Sequence, residues 1–276
     1  MTTKTTKTAE RRPPAYWAVR DTGTVAWRNL VVLRRVPQML VFATIQPILF
    51  VLLFTYVFGG EISIPGVPKY VDYLMPGIFA QTVAFGAINT ALGLAEDLNK
   101  GLIERFRSLP MARSAVLAGR TLADLVRNIF VVTLMVVMGF LVGFRPHNGV
   151  LPLLGAIVLL LVFGLALSWV LALVGLMAPN AEAAQAAAFP LLFPLVFASS
   201  SFVRVQQMPG WMQAFAKNQP VTAIVNAVRA LTLDGAATQR LIGKSTTELV
   251  LTSLAWSLAV LAVAVPVAVR RYRRVA

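Results

Sequence analysis

Six apolar runs, at 39–58, 73–95, 125–144, 151–178, 184–203 and 249–269, divide this sequence, and each is long enough to cross a bilayer as a helix. About 20 helical residues at roughly 1.5 Å each span the hydrocarbon core. Inside lipid every backbone N–H and C=O must be bonded within the protein, which leaves helices as the expected form of such runs. Composition agrees with this reading. Of the 276 residues 58% are hydrophobic and only 13% charged, with a mean hydropathy of +0.74, whereas soluble domains carry roughly a quarter charged residues. The expected fold class is therefore all-α: a polytopic membrane protein with six transmembrane helices, an N-terminal interfacial helix and a cytoplasmic loop between the second and third spans.

The division between the fourth and fifth runs rests only on Ala178-Pro179-Asn180-Ala181-Glu182-Ala183, polar enough for a short turn and costly in lipid. Before the first run, residues 1–15 are rich in Thr, Lys, Arg and Pro and are expected as a disordered cytoplasmic tail. Residues 16–37 alternate Trp17, Trp27 and aliphatic positions with Arg20, Arg28, Arg34 and Arg35 at roughly helical spacing. Both an amphipathic interfacial helix and plain positive flanking charge fit that pattern. Residues 38–270 make up the six-helix domain, and 271–276 form a basic cytoplasmic tail. The first 38 residues lack the compact apolar core of a cleavable signal, so the first span is expected to act as the insertion signal.

Positive charge orients the chain. With both termini inside, 18 of the 25 Lys and Arg residues fall in inner segments and 7 in outer ones, most of the latter between Arg204 and Lys244. Short loops carry this signal best, so both ends are placed in the cytoplasm of a multi-pass plasma-membrane protein. The net charge of +14 is expected to serve anionic inner-leaflet lipid, and no nucleic-acid partner is expected. Cysteine is absent, which excludes disulfides and thiolate chemistry.

The stretch 96–120, EDLNKGLIERFRSLPMARSAVLAGR, is a charged, interrupted helical loop, and Leu109-Pro110 makes a corner in it. An ordinary cytoplasmic loop and a docking surface both fit its charge. With Glu104-Arg105, Ser108-Leu109-Pro110 and Arg113-Ser114 it resembles the loop signature of the type-2 ABC export permeases. That resemblance implies coupling to a separate cytoplasmic ATPase through Glu104, Arg105, Arg107, Ser108, Pro110 and Arg113. Arg113 and Arg120 can equally be charges that face lipid.

The segment from Met208 to Leu233 is apolar but broken by Pro209-Gly210 and Pro220, so two short helices dipping in from the outside are expected there. It resembles the drug-exporting branch of the same permeases, most of all the daunorubicin-resistance type, through Pro209-Gly210-Trp211, Asn218-Gln219-Pro220 and Arg229-Ala230-Leu231. The resemblance extends from about Trp27 to the tail. It implies a homodimer of permeases, working with ATPase subunits that bind ATP and Mg, to export a hydrophobic or amphipathic drug or lipid.

No cofactor or metal is expected in this chain, and no catalytic residue. Gly243-Lys244-Ser245 imitates the end of a phosphate-binding loop, but the required upstream glycine is Thr238. The single His147 lies in a short loop, too little for a metal site. Ser199-Ser200-Ser201 has no nearby base for nucleophilic catalysis. The acidic residues, Asp72, Glu96, Asp124 and Glu248 among them, all fall in tails, loops or span ends, which argues against an ion-coupled secondary carrier. A non-transporting membrane assembly factor is a third class. Within the spans, Gln46, Gln81, Asn89, Pro190 and Pro194 are the residues that can either line a substrate path or pack helices. Gly139 and Gly143 form a small-xxx-small pair, a weak packing signal.

Overall fold

The computed structural model describes residues 14–35, 38–57, 64, 66–67, 69–101 and 113–275. Among these every regular element is helical. The elements are α1 (Pro14–Arg35), α2 (Gln38–Leu52) with a π-helical turn (Leu53–Val57), α3 (Tyr70–Gly86), α4 (Ile88–Asn99), α5 (Arg113–Val142), α6 (Val150–Met177) and α7 (Ala181–Phe197). After a 3-10 turn (Val205–Gln207) come α8 (Gly210–Lys217), α9 (Pro220–Thr232), α10 (Gly235–Ile242) and α11 (Thr246–Val275).

Four paths are long and apolar enough to cross a membrane: Tyr70–Asn99, Leu117–Val142, Val150–Met177 and Thr246–Arg274. The fifth apolar run forms a shorter helix, Ala181–Phe197, and the first is helical from Gln38 through the π-helical turn to Val57. The fifth run loses its last residues to turns: Gln219 Nε2 donates to the carbonyls of Leu195 and Ala198, at 2.9 and 3.0 Å, and so closes the C-terminus of α7. Within α7, Pro190 and Pro194 each remove a backbone donor, which weakens the helix along one face. The second run is also not uniform. At Ala87 the helix path changes register, the Ala87 N–H being shared between Val83 O and Ala84 O while Thr90 N–H bonds back to Ala87 O.

Short turns force neighbouring spans to run antiparallel. Between α5 and α6, Gly143 takes φ 102°, a conformation that favours glycine, and ends α5. Gly139 meets Met75 and Phe144, so the pair suggested by the sequence splits into a packing position and a helix stop. Asn180 caps α7 by accepting from Ala183 N at 2.8 Å. α6 sits at the centre, in contact with α3, α4, α5, α7, α9 and α11. Where α6 crosses α4, a Cβ on Gly175 would lie 2.5 Å from Ala91 O, so only glycine permits that approach.

Between Met208 and Leu233 lie two short helices, α8 and α9, as expected there, and a third, α10, follows beyond that stretch. Asp234 supplies the reason, because its side chain accepts from Ala236 N and starts α10 immediately after Leu233 ends α9. α9 is docked firmly: Val221, Ile224, Val225 and Val228 are all fully buried. Its C-terminal carbonyls are taken by the α5–α6 turn, with His147 N–H donating to Thr232 O at 2.8 Å and Asn148 to Ala230 O and Leu231 O at 3.2 Å each.

The N-terminal helix is not free on a surface. α1 lies along α5, with Val25 and Ala26 buried against it and Trp27 68% exposed on the other side. Gly119 on α5 allows this, since a Cβ there would meet Thr22 O at 2.7 Å. α11 remains helical through Arg271, Tyr272, Arg273 and Arg274, and Tyr272 is buried in a small cluster with Leu94, Leu117, Trp169 and Leu176.

Candidate functional site

The irregular turn at Ala87 leaves the carbonyl of Gly86 free of the helix ladder, and side chains claim it. Arg127 Nη2 on α5 donates to Gly86 O, as does Asn89 Nδ2 at 3.1 Å. Arg127 also lies 3.4 Å from Asp124 one turn earlier, and Asp124 accepts from the hydroxyl of Thr90 on α4. Asp124 and Arg127 are both buried, 8% exposed, inside the span Leu117–Val142. This corrects the expectation that every acidic residue lies in a tail, loop or span end. The third span starts its helix at Arg113, well before the apolar run begins, so Asp124 stands about three turns into it. Asp72 is likewise buried, in the first turn of α3, and accepts from Arg145 N–H at 2.9 Å.

Around this polar chain opens a cavity of about 370 Å³. Gln46 and Pro47 from α2, Gln81 and Asn89 from the turn region, Asn128 from α5 and Gln185 from α7 contribute to its wall. Three of the five proposed path residues, Gln46, Gln81 and Asn89, therefore converge; Pro190 and Pro194 do not line it and sit on the exposed face of α7. Gln81 Oε1 and Asn128 Nδ2 are buried and meet no hydrogen-bond partner among the described residues. Buried polar groups are nearly always paired, so two unpaired amide groups beside one cavity set this place apart.

From that cavity a row of phenylalanine rings leads along α7. Phe85 stacks on Phe189 at 5.7 Å, Phe189 on Phe193 at 5.7 Å, Phe193 on Phe197 at 4.3 Å and Phe197 on Phe202 at 5.4 Å. Phe202 then meets Phe54 in the π-helical turn at 5.1 Å. The α7 members recur every four residues, which places them on one helix face. Phe189 and Phe193 are 44% and 45% exposed, so the row offers open ring surface. Neither the rings nor Arg127 and Asn128 stood out in the sequence; the i, i+4 spacing of Phe189, Phe193 and Phe197 was the available signal.

A third feature joins the ends of α1, α4 and α5. Asp97 Oδ2 accepts from Arg28 at 3.2 Å and from Arg120 at 3.1 Å, and Arg120 also donates to Asn89 O at 3.2 Å. Arg120 is thus turned inward and does not face lipid. The loop that follows contains Glu104, Arg105, Arg107, Ser108 and Pro110, which lie outside the described residues, as does the side chain of Arg113.

At the opposite end of the bundle, the residues singled out between 209 and 229 do not form one site. Pro209 and Gly210 start α8, Trp211 is 75% exposed, and Pro220 opens α9. Asn218 caps α8 by donating to Ala214 O at 3.0 Å. Arg229 alone is deeply buried, at 2% exposure, with Nε and Nη2 donating to Tyr73 O at 3.2 and 3.0 Å and Nη2 to Ser200 O at 3.0 Å. The serine triplet is bonded into the same joint: Ser200 Oγ donates to Asn226 Oδ1, and Ser199 Oγ to Val196 O. Gly243-Lys244-Ser245 is a helix junction, in which Gly243 ends α10 at φ 73°, Lys244 pairs with Glu248 at 2.6 Å and Ser245 Oγ accepts from Glu248 N.

The chain is a bundle of helices, four of them long and apolar enough to cross a membrane, with a polar cavity at a helix break, and comparison with known families specifies its class. Residues 20–233 match the ABC-2 type transporter family. The chain belongs to that family and is a permease subunit, a multi-pass membrane protein whose family membership implies an ABC ATPase partner. It is 36% identical over 228 residues to the daunorubicin resistance ABC transporter permease protein DrrB1 of Streptomyces coeruleorubidus, covering 83% of this chain and 80% of that protein. The "Probable doxorubicin resistance ABC transporter permease protein DrrC" of Mycobacterium tuberculosis is 28% identical over 84% of this chain and 80% of its own length. The doxorubicin resistance permease protein DrrB of the same organism is 30% identical over 59% and 56%.

Proposed function

We propose that this chain is the membrane half of an ABC exporter that moves a hydrophobic or amphipathic compound, an anthracycline-like drug or a lipid, out of the cell. The observation that carries the reading is the cavity at the Ala87 turn, with its orphaned Gln81 and Asn128 groups and its continuation into a row of ring faces. Amides suit the polar edge of an amphipathic cargo and the phenylalanines its flat apolar body. The resistance to daunorubicin and doxorubicin named for its relatives supports the drug. ATP, with Mg, is hydrolysed by a separate ATPase subunit, and two permeases form a homodimer in the plasma membrane among its lipids with all termini cytoplasmic.

The coupling loop transmits closure of the ATPase. Arg105 and Arg107 offer forked donors to carboxylates of the partner, Glu104 offers an acceptor, and Pro110 sets the corner. The test is co-purification of the chain with an ATPase encoded beside it, followed by drug-stimulated ATP hydrolysis by the pair in liposomes. Glu104→Ala and Arg105→Ala are expected to weaken association or uncouple hydrolysis from export, and Pro110→Ala to weaken coupling more than binding. If all three retain full export and co-purification, the loop is only a connector.

Asp124, a buried carboxylate within a span, favours a second reading as an ion-coupled carrier. Its pairing with Arg127 and Thr90 favours a structural role instead. Ionophore-sensitive transport without ATP would establish the carrier.

A further inference from the structure

A second cavity, of about 330 Å³, lies beneath the short helices at the end of the bundle opposite Asp97. Its wall carries four cations, Arg204 after α7, Lys217 at the end of α8, Arg229 on α9 and Lys244 before α11, among neutral polar groups such as Ser200, Asn218 and Asn226. Among the described residues no acidic side chain lines it. Lys244 is paired with Glu248 at 2.6 Å. Among the described residues Arg204, Lys217 and Arg229 form no ion pair.

Arg229 is the unusual member. Its guanidinium is almost wholly buried, bonded to the carbonyls of Tyr73 and Ser200 and to the amide of Asn226, and stacked 3.7 Å from the Tyr73 ring centroid. Carbonyl dipoles and a ring face orient this charge but do not neutralise it, and an uncompensated buried cation is costly. The first turn of α9 also borders the cavity through Thr222 and Ala223, adding the positive end of a helix dipole. Among the described residues every charged side chain lining the space thus has one sign, with Glu248 beside it on Lys244, and the space is of the size that holds a small ligand.

We propose that this cavity binds a phosphate group, with Arg204 and Lys217 as the flexible contacts at its mouth and Arg229 as the fixed charge at its base. The phosphate can come from an anionic lipid headgroup or from a free anion. The site is distinct from the amide-lined cavity at the Ala87 turn, and the proposal holds whichever side of the membrane this end faces.

The chain has no cysteine, so a single Asn218→Cys change places a reporter in the cavity wall. The full chain is studied in phosphate-free maltoside micelles, alone, with added phosphatidylglycerol, and with added inorganic phosphate. Labelling by a neutral water-soluble maleimide is then timed, with Ala236→Cys, exposed on α10 and outside the cavity, as the reference. Labelling at position 218 is expected to slow about tenfold relative to position 236 when the site is occupied, and to recover when Arg204→Ala and Lys217→Ala are added. Slowing with phosphatidylglycerol alone identifies a lipid headgroup, and slowing with inorganic phosphate as well identifies a small-anion site. No slowing in either arm, equal slowing at both reporters, or slowing that survives the double alanine change overturns the proposal.

Discussion

Arg120 Nη1 on α5 lies 3.1 Å from Asp97 Oδ2 on α4, and the same carboxylate oxygen accepts from Arg28 of α1 at 3.2 Å. One carboxylate therefore ties three helices together beside the segment 102–112, which lies outside the described residues. Side chains of Asp97 and Arg120 are only 13% and 18% exposed, which lifts the pairing above an ordinary surface bridge. Any force applied to the loop reaches the bundle through α4 and α5, the two helices this node joins.

Asp97→Asn is expected to lower the stability of the purified protein by about 2 kcal/mol, between the values for exposed and buried pairs. A thermal-shift or denaturant measurement checks it. A double-mutant cycle between Asp97→Asn and Arg120→Gln should show strong non-additivity, because both changes remove the same contact. Additive losses would mean that the two side chains act separately.

Gly93 gives an independent handle on the node. A Cβ at this position would lie 1.4 Å from Arg120 Nη2, so Gly93→Ala must push the guanidinium aside. The guanidinium is the end of a flexible chain, so folding should survive while the Arg120–Asp97 contact is lost. The expected result is a coupling defect equal to that of Arg120→Ala and no further loss when both changes are combined. A fully coupled Gly93→Ala protein would show that the contact is dispensable.

How far the sequence revealed this arrangement depended on the range of the forces involved. The long spans are legible because a run of about 20 apolar residues has one physical solution in lipid. Gln46, Gln81 and Asn89 are legible only as polar residues that either line a path or pack helices, and that they meet at one cavity depends on how α2, α3 and α4 come together. Arg120 stays open between an inward and a lipid-facing placement because its partner Asp97 lies 23 residues away, and nothing local shows which way a basic side chain near a span end will turn. Asp124 was misplaced for a related reason. The apolar run begins at 125, but the helix begins at Arg113, and burial is set by where the helix passes its neighbours rather than by where hydropathy rises. The third short helix after α7 depended on a single cap at Asp234.

Orientation can be read directly with single cysteines in this cysteine-free chain. A Cys at Thr3 or Ala276 is expected to escape an impermeant reagent in intact cells, and one at Lys69, which precedes α3 and is exposed, is expected to react. The reverse pattern would invert the topology drawn from the 18 to 7 division of basic residues.

The cavity at the Ala87 turn makes a prediction in which stability and transport move apart. Gln81 is 4% exposed and its Oε1 has no partner among the described residues, so the amide contributes desolvation cost without a matching bond. Replacing it by a side chain of similar shape and no polarity, Gln81→Leu, should therefore leave stability unchanged or raise it by about 1 kcal/mol. If the amide meets the polar edge of the cargo, the same change removes that contact and should raise the drug concentration for half-maximal ATPase stimulation by about tenfold, the effect of one lost hydrogen bond to a buried group. Phe193→Ala, which breaks the ring row between Phe189 and Phe197, should weaken transport of flat aromatic cargo more than that of aliphatic cargo, since stacking is what it removes. A residue that merely packs helices would behave otherwise: Gln81→Leu would then change neither the half-maximal concentration nor the cargo preference. That outcome, together with unaltered transport by Phe193→Ala, would remove this cavity from the substrate path.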